Sequence, residues 1–591
     1  MAYTVRLEII KTTFKRFVLM GSSLFSKKIT IKETPEMERA NSILDVFYLR
    51  EKLHPNQVYL RQPKGEAWKE LTWAEVGQQA RKIVTVLRDQ GLEVGDHVGI
   101  LSKNCSQWII ADIAILMGGF VSVPFYPTLS EKDLKEVIEL SNIKALFLGK
   151  LDTWEQQKSA IPDDLTCIAF PHYDDNSKVD CELKWDKLLT DFAPCEKVHS
   201  PKASDIFTII YTSGTTGTPK GVMVTYQCIN EVLKNERATP VYGIYQGVSD
   251  RVISYLPLNH IAERVVSEIS SIAAGSVVSF SESLEQFSSN LQSVQPTLFF
   301  AVPRIWAKIQ QGILTKLPQK KLDILLKLPI VNKLIKNKIR DGLGLSSVKS
   351  AISGAAPVSA ELLNWFKKLD INIQEVYGAT ELCGGVSFNS LNDIVPGTVG
   401  KAVPGADIQI DPETDEVLVN TPWTMTGYYM SPNKTAEVFD GQYYRTGDTG
   451  KFDKNNNLII TGRIKDTFKT AKGKFVLPLP IEHKFATNPL IEQVMITGIG
   501  LIQPIALLCL TEQADIENDA HLNSLTETLN EVNKQSDNHE KISTLIVFKD
   551  GWADDSGFFT PTLKLKRHII DQAYKKKYEK WQDAEESIIL I

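Results

Sequence analysis

The sequence predicts an α/β protein with a large N-terminal domain and a small C-terminal one, on three observations. Apolar runs typical of buried strands alternate with amphipathic helices along most of the 591-residue chain, which indicates parallel sheets covered by helices. From about residue 396, short strands between turns indicate a small β-rich subdomain. A polar, lysine-rich stretch, IKDTFKTAKGK (464–474), then precedes a last set of strands and helices. We therefore expect an N-terminal domain of parallel sheets, residues 1–462, hinged to a mobile α/β domain, residues 463–591.

The individual elements follow from the spacing of apolar residues. Residues 73–91, WAEVGQQARKIVTVLRDQG, have the period of an amphipathic helix that ends at Gly91. The run HVGILS (97–102) predicts a buried strand, and WIIADIAILMGG (108–119) a packed helix ending in glycines. Later strand signals are FTIIYT (207–212), RVISYL (251–256) and TLFFAV (297–302). The β-rich subdomain is predicted from DIQI (407–410), EVLV (416–419), YYRTGD (443–448) and NLIITG (457–462).

Composition excludes several classes of protein. The formal net charge of −5 and a pI of about 6.1 argue against a protein-wide electrostatic grip on nucleic acid. Seven scattered cysteines without a C-x-x-C pair argue against a disulfide framework and a structural zinc site, and they fit a reducing compartment. The apolar residues of the N-terminus are interrupted by Lys11, Lys15 and Arg16, so neither a signal peptide nor a membrane span is expected. We expect a cytoplasmic protein.

The strongest chemical signal is the string YTSGTTGTPKGVMVT (211–225), which follows a predicted strand. Its glycines allow a tight turn and close approach of the backbone to a phosphate, while its hydroxyls and one lysine can bind phosphate oxygens. It lacks the G-K-[ST] ending of a Walker A loop, and the alternative is an ordinary Gly/Thr-rich surface turn. The candidate phosphate-binding residues are Thr212, Ser213, Gly214, Thr215, Thr216, Gly217 and Lys220.

This string resembles the phosphate loop of the adenylate-forming (AMP-binding) superfamily, which includes acyl-CoA synthetases, luciferases and peptide-synthetase adenylation domains. Two further segments resemble that family's pattern in the expected order. SAISGAAPV (350–358) is similar to the segment that lines the adenine pocket, and EVYGATE (375–381) to the one that contacts adenine, phosphate and magnesium. The resemblance implies an adenine pocket of Gly354, Ala355, Ala356, Tyr377 and Gly378. It also implies a phosphate contact by Thr380 and a magnesium ligand in Glu381, both counted as catalytic.

The later motifs resemble the family's ribose, hinge and catalytic segments. YYRTGD implies that Asp448 accepts hydrogen bonds from the ribose diol, and GRIKD implies that Arg463 contacts ribose or phosphate, with Lys465 as the hinge. TPTLKLKR (560–567) resembles the segment of the catalytic lysine; alignment on its arginine selects Lys564, and Lys566 is the other possible register. The loop around Gly473 would serve the CoA step.

Other segments resemble long-chain acyl-CoA synthetases in particular, namely YLPLNHIAER (255–264), AVPRIWAKI (301–309), MTGYY (425–429) and KGKFVLPLPIE (472–482). The resemblance implies activation of a fatty acid with ATP, Mg²⁺ and CoA, with His260 near the substrate carboxylate or in a pocket wall. Tyr226 departs from the pattern, since many relatives have histidine there, and this puts the carboxylate end of the acyl pocket in question. Two alternatives are a ligase for an aromatic, short- or medium-chain acid and a non-catalytic acyl-AMP or lipid-binding protein.

Two segments combine basic and apolar residues. Residues 316–340 carry eight basic residues and one acid among leucines and isoleucines, and residues 5–18 place apolar side chains at helical spacing beside basic ones. Such segments suit the surface of an anionic membrane, and residues 1–38 could form a basic amphipathic extension. The alternative is an ordinary amphipathic surface helix in each case.

Overall fold

The computed structural model describes residue 40 and residues 42–65, 67–212, 218–238, 250–511, 514–553, 556–560, 564–584 and 586–591. The predicted N-terminal extension (1–38, with the segment 5–18) and the phosphate-loop residues Ser213, Gly214, Thr215, Thr216 and Gly217 lie outside the described residues. Among the described helices, none is long and apolar enough to cross a membrane.

The largest sheet has eight strands, and seven run in the same direction; the strand Lys220–Thr225, next to one edge, is antiparallel to both of its neighbours. It carries the strand that leads into the phosphate loop, so the loop leaves a buried, rigid element. In spatial order the strands are Gly427–Tyr428, Lys220–Thr225, Ile206–Thr212, Val121–Phe125, His97–Leu101, Ile143–Leu148, Thr166–Ala169 and Leu183–Lys184.

Two further mixed sheets complete the parallel α/β part. One has the strand order Arg251–Ser254, Val277–Phe280, Val58–Lys64 and Ala67–Thr72. The other has the order Leu298–Ala301, Ser350–Ser353, Ile373–Ala379, Gly384–Phe388 and Lys401–Ala402. Its parallel strands 350–353 and 373–379 bring the two predicted adenine segments side by side, with Ser353 opposite Glu375.

The β-rich subdomain and the C-terminal part each have sheets of their own. The subdomain is antiparallel, and its strands follow the order Asp407–Ile410, Glu416–Asn420, Tyr443–Phe452 and Phe439–Asp440. The strand Leu458–Arg463 also pairs with Tyr443–Phe452. The C-terminal sheet has the order Ile491–Thr497, Ile505–Leu510, Leu545–Phe548 and Ile588–Leu590, beside a two-stranded hairpin of Phe468–Lys469 and Phe475–Val476. The predicted α/β class is confirmed.

Helices cover these sheets, and local chemistry explains where several of them begin and end. The helix Trp73–Asp89 begins at a capping box in which Thr72 and Glu75 satisfy each other's backbone N–H groups. The helix Ser106–Gly118 ends because Gly119 adopts a left-handed conformation at φ 82°. The other α-helices are Ile43–Leu53, Glu131–Ser141, Trp154–Gln157, Trp185–Asp191, Tyr226–Ala238, Ile261–Glu263, Ser270–Ala274, Phe287–Val294, Pro303–Lys316, Gln319–Lys327, Pro329–Leu343, Ala360–Lys367, Pro432–Glu437, Pro478–Phe485, Asp519–Lys534 and Arg567–Asp583. Lys158–Ala160, Thr380–Leu382 and Ile464–Asp466 are 3₁₀ turns, and Arg264–Ile269 is a π-helix.

The hydrophobic cores of the described chain lie on one side or the other of residue 463. Three clusters of buried side chains are drawn from residues 43–460, and two others from residues 468–589. Separate cores are what two independently folded units require. This arrangement supports the predicted division between residues 462 and 463, which remains a prediction.

Candidate active site

A cleft of about 3180 Å³ runs between the large N-terminal part and the C-terminal part. Most of the predicted site residues that the structure describes line it. They are Thr212, Lys220, His260, Ala355, Ala356, Tyr377, Gly378, Thr380, Glu381, Asp448, Arg463, Lys465 and Lys564. Gly354 and Gly473 are not among the described residues that line the cleft.

At the phosphate end, a lysine and a glutamate face the same tyrosine. Lys220 begins the antiparallel strand after the loop, and its Nζ lies 4.8 Å from the ring centre of Tyr428. The Tyr428 hydroxyl donates to Oε1 of Glu381 at 2.9 Å. Burial, then the nearby charge of Lys465, lowers the pKa of Lys220. Binding of an anion such as a polyphosphate would stabilise the charged form of a lysine in this position.

Glu381 is the one predicted metal ligand. It lies in the 3₁₀ turn Thr380–Leu382, directly after the strand Ile373–Ala379, and its backbone carbonyl accepts from the N–H of Met425 at 2.7 Å. No group of three or more His, Cys, Asp or Glu side chains able to hold a metal occurs within the described residues. A single carboxylate fits Mg²⁺, which proteins commonly bind through one or two carboxylates together with substrate phosphates and water.

The predicted adenine pocket depends on close approach of backbones. A Cβ on Gly378 would lie 1.7 Å from the carbonyl oxygen of Gly384, and one on Gly354 would lie 2.5 Å from Cγ1 of Val376. Side chains at these positions would force the strands apart. Ala355 adopts φ +66°, a conformation that is uncommon for a residue with a Cβ. Strained backbone of this kind often occurs at ligand sites.

Asp448, the predicted ribose-binding residue, contacts both Tyr377 and Arg463. The Tyr377 hydroxyl donates to its Oδ2 at 2.8 Å, and Nε of Arg463 lies 2.9 Å from its Oδ1. Arg463 and Asp448 are direct partners on neighbouring antiparallel strands, so the ion pair follows from strand register. The carboxylate is therefore held in one orientation with lone pairs left over for further donors.

Lys564 reaches into this cleft from the C-terminal part. Burial, then the charge of Arg463, lowers its pKa to about 8, against the opposing effect of Asp448. Burial and the charge of Lys564 together lower the pKa of His260 to about 4, so the imidazole is neutral at physiological pH. His260 Nδ1 accepts from the N–H of Ala262 at 3.2 Å, which puts the proton on Nε2. The site thus brings an ammonium group and an imidazole N–H donor close together.

Arg567, three residues after the predicted catalytic lysine, is held by two acidic side chains. Arg567 pairs with Glu482, and its Nε lies 3.3 Å from Oδ2 of Asp466. These contacts hold the start of the last helix against the segment after residue 463 and set where Lys564 lies. Lys566 also lines the cleft, as the N-cap residue of that helix. The register that selects Lys564 remains a prediction, supported by the surroundings of its side chain.

Two family models match this chain from near its first described helix to near its end. "AMP-binding enzyme" matches residues 49–429, and "AMP-binding enzyme C-terminal domain" matches residues 465–586. The chain belongs to the AMP-binding enzyme family. The second match begins at residue 465, the position that the sequence predicts as the hinge.

Curated relatives of this AMP-binding enzyme are similar over nearly their whole length. It is 27% identical to the long-chain-fatty-acid–CoA ligase FadD15 of Mycobacterium bovis, over 91% of this chain and 96% of the relative. It is 28% identical to the long-chain-fatty-acid–CoA ligase ACSBG2 of Rattus norvegicus, over 88% and 90%. The predicted resemblance to long-chain acyl-CoA synthetases is confirmed.

Solved structures show the same fold. The anthranilate CoA ligase AuaEII in complex with anthranoyl-AMP matches with a TM-score of 0.75 at 20% identity, over 91% of this chain and 98% of that one. The A domain of carboxylic acid reductase from Segniliparus rugosus, in complex with AMP and a co-purified carboxylic acid, matches with a TM-score of 0.72 at 19% identity, over 91% and 93%.

Three features of this AMP-binding enzyme were not predicted from the sequence. Tyr428, within the MTGYY segment, contacts both Lys220 and Glu381, and the sequence assigned it no role of its own.

Glu263 is a buried carboxyl group that lines the cleft and accepts from the hydroxyls of Ser254 and Ser267, each at 2.8 Å. Burial raises its pKa to about 7. Arg304, within the AVPRIWAKI segment, pairs with Glu492, and both line the cleft; the sequence assigned neither of them a role.

Tyr226 bears on the acyl pocket less than the sequence suggests. Its ring packs edge-to-face on Phe207 at 5.3 Å in the main core, and it is absent from the described residues that line the cleft. The strand carrying Phe207 and the helix beginning at Tyr226 turn this side chain inward. The departure from the family pattern therefore affects packing behind the phosphate-loop strand.

Proposed function

We propose that this protein is an ATP-dependent acid–CoA ligase. A carboxylate would attack the α-phosphate of ATP, releasing pyrophosphate and forming an acyl-adenylate, and the CoA thiol would then displace AMP to form the thioester. The observation that carries the proposal is the convergence of Lys564, from the C-terminal part, with His260, Asp448 and Arg463 in one cleft. A non-catalytic binding protein would have no need of a buried ammonium group at this point.

In the adenylation half, the cleft supplies charge and orientation. The Lys564 ammonium would stabilise negative charge that develops between carboxylate and α-phosphate, and His260 would donate its Nε2–H to the acid. Asp448, held by Tyr377 and Arg463, would accept the ribose hydroxyls. Thr380 and the phosphate loop would contact the phosphates. Glu381 would hold a Mg²⁺ ion, which would neutralise part of the polyphosphate charge.

The thioester half needs another pose of the C-terminal part. Gly473 has φ +76° in the turn between the strands Phe468–Lys469 and Phe475–Val476, outside the cleft. We infer that rotation about Lys465 withdraws Lys564 and brings this turn to the acyl-adenylate. If this rotation replaces Lys564 by the turn around Gly473, one cleft would carry out adenylation first and thioester formation second.

A long-chain fatty acid is the substrate that we propose. Support comes from the similarity to long-chain-fatty-acid–CoA ligases and from apolar side chains that line the same cleft as His260, namely Ile261, Val265, Val266, Phe300 and Ile352. Apolar walls of this kind suit an alkyl chain. The second candidate is an aromatic acid, favoured by the anthranilate and benzoate CoA ligases among the similar structures.

The test is AMP release by the purified protein with Mg-ATP, with and without CoA, across acetate, octanoate, palmitate, oleate, benzoate and anthranilate. CoA-dependent release that is greatest with palmitate or oleate is the expected result. A maximum with benzoate or anthranilate would keep the ligase and replace the fatty acid. No release with any acid, from protein that still binds ATP, would contradict the ligase; Lys564→Ala protein provides the background.

A further inference from the structure

The two helices Gln319–Lys327 and Pro329–Leu343, joined at Leu328, form a contacting pair that we name the basic hairpin. Its outer surface exposes large apolar side chains. Ile324 is 62% exposed, Leu328 45%, Ile330 80% and Leu334 65%. These four lie within eleven residues of sequence, whereas no stretch of eleven residues elsewhere in the described chain has more than two exposed large apolar side chains. A cluster of this kind marks an interaction surface.

These apolar groups are not a misplaced core face, because the hairpin already has an inner one. Leu322, Leu326, Ile339 and Leu343 pack against the hydrophobic cluster of the neighbouring sheet. Ile330 and Leu334 lie one helical turn apart on the opposite side, where Lys333 and Lys338 share the exposed stripe. The second helix is therefore apolar on two faces, and the body of the protein covers only one.

Lysines surround the exposed apolar side chains. Lys320, Lys321, Lys327, Lys333 and Lys338 are all exposed, and no ion pair joins any of them to an acidic side chain of the described residues. Three acids lie nearby. Asp323 accepts from Gln319 at 2.8 Å, and Asp370 pairs with Lys336 on the inner side at 2.8 Å. Asp341, the one acid of the second helix, is exposed and accepts from the Ser346 hydroxyl. The outer surface thus presents unbalanced positive charge around an apolar centre.

We propose that the basic hairpin docks on an anionic lipid membrane surface. Aliphatic side chains would enter the boundary between headgroups and acyl chains, and the surrounding lysines would meet lipid phosphates. A second copy of this chain is a less suitable partner, because pairing this face with itself would place lysines against lysines. The phosphates of a nucleic acid would bind the lysines, but Ile330 and Leu334 would stay exposed to water.

The hairpin also continues from the cleft wall. It follows the helix Pro303–Lys316 directly, and Arg304, Ile305 and Lys308 of that helix line the cleft. A docked molecule would therefore hold this side of the cleft near the bilayer, where a fatty acid partitions. This consequence rests on the proposed function, whereas docking itself does not.

The test is co-sedimentation of the full-length protein, without substrates, with vesicles of phosphatidylcholine alone or mixed with phosphatidylglycerol. We expect binding to the mixed vesicles that weakens with salt, and weak binding to phosphatidylcholine alone. Lys327→Gln/Lys333→Gln/Lys338→Gln should lower the partition coefficient about a hundredfold, at roughly fivefold per lysine. Ile330→Ser/Leu334→Ser should lower it at least about tenfold, since two aliphatic side chains no longer enter the interface.

Matched controls separate docking from general effects of charge and folding. Lys575→Gln/Lys576→Gln/Lys577→Gln removes the same charge from the exposed face of the last helix, and Val94→Ser removes another exposed aliphatic group. Both should bind like the wild type, and circular dichroism should show all variants folded. The proposal would be overturned if the hairpin and control variants lost vesicle binding equally, or if the hairpin variants bound like the wild type. It would also be overturned if the protein were a dimer that Ile330→Ser/Leu334→Ser abolished. Ligase activity is measured in a separate assay with dispersed acid, so a negative result in the vesicle-binding test would not contradict the proposed function.

Discussion

Lys564 holds an ammonium group in a cleft that disfavours it. Burial and the neighbouring charge of Arg463 lower its pKa to about 8, and Asp448 offsets only part of that cost. A cation in such surroundings is stabilised when anionic groups enter, and carboxylate and polyphosphate are anions of that kind. The side chain is thus poised for the charge that adenylation develops.

Replacing Lys564 should therefore damage adenylation selectively. Lys564→Ala should lower acid-dependent ATP–pyrophosphate exchange at least about a hundredfold, the scale of losing one charge-stabilising group. Lys566→Ala should have a much milder effect, because Lys564, and not Lys566, is the lysine whose charge acts on His260. The reverse ranking would show that the catalytic lysine is in the other register.

The pH dependence follows from the same group. A lowered pKa means that the ammonium is lost as pH rises through about 8, well below the ordinary range of lysine. We expect kcat/KM for ATP in the adenylation half to fall above that pH, approaching tenfold per pH unit. His260, with a pKa of about 4, stays neutral throughout and should not contribute to this limb.

Lys564→Arg provides the control for the pH profile, since a guanidinium stays charged. Whatever activity it keeps should lack the alkaline fall near pH 8. An unchanged alkaline limb in this variant would assign the titration to another group.

At the scale of elements, a buried charge cluster joins the helix 106–118 to the strand that leads into the phosphate loop. Arg264, at the start of the π-helix Arg264–Ile269, pairs with Asp112 and with Glu268 at 3.1 Å. Its Nη1 also donates to Oγ1 of Thr208 at 2.6 Å, and its guanidinium lies over the ring of Phe207 at 4.7 Å. Burial, then the charge of Asp112, raises the pKa of Glu268. The arginine therefore holds a strand of the site in place.

Removing this arginine should cost far more stability than removing a surface lysine. Arg264→Ala leaves buried acids without their partner, and we expect a loss of about 3–5 kcal/mol in the free energy of unfolding. Lys158→Ala, which breaks an exposed pair with Glu155, should cost less than about 0.5 kcal/mol. Urea denaturation followed by tryptophan fluorescence measures both. A difference below about 1 kcal/mol would mean that the cluster is compensated in another way.

At the scale of the whole molecule, the C-terminal part has cores of its own, and its contacts with the large part include a polar pair. Arg304, in the helix that lines the cleft, pairs with Glu492 on the C-terminal sheet at 2.7 Å. This contact exists in the pose that brings Lys564 into the cleft. A partly exposed ion pair is weak enough to break during the proposed rotation.

Reversing one charge of this pair should shift the balance between the two half-reactions. Arg304→Glu should lower adenylation about three- to fivefold or more, matching the small energy of a partly exposed pair. The double variant Arg304→Glu/Glu492→Arg should restore it. Thioester formation from preformed acyl-adenylate should be unaffected or faster in the single variant. Lys401→Glu, next to Asp393, serves as the control; a failure of the double variant to recover would remove the pair from the mechanism.

Much of the fold could be predicted because each element has a local signal. The helix 73–89 and the strands around residues 97–101 and 207–212 follow from apolar periodicity, and their ends from caps and glycines. The order of the motifs was enough to group most of the site. Tyr428 could not be assigned, since its bonds to Glu381 and Lys220 depend on how a late strand adds to the edge of the largest sheet.

By itself, the sequence determined the α/β class, the change to a β-rich subdomain, the candidate residues and the family resemblance, because these depend on local periodicity and on motif order. Only the tertiary structure decided what each side chain faces. It turned Tyr226 into the core, brought Lys564 beside His260, and left Ile330 and Leu334 uncovered on the basic hairpin. The physical reason is that a periodic pattern marks which side of an element is apolar, whereas burial and electrostatics depend on partners distant along the chain.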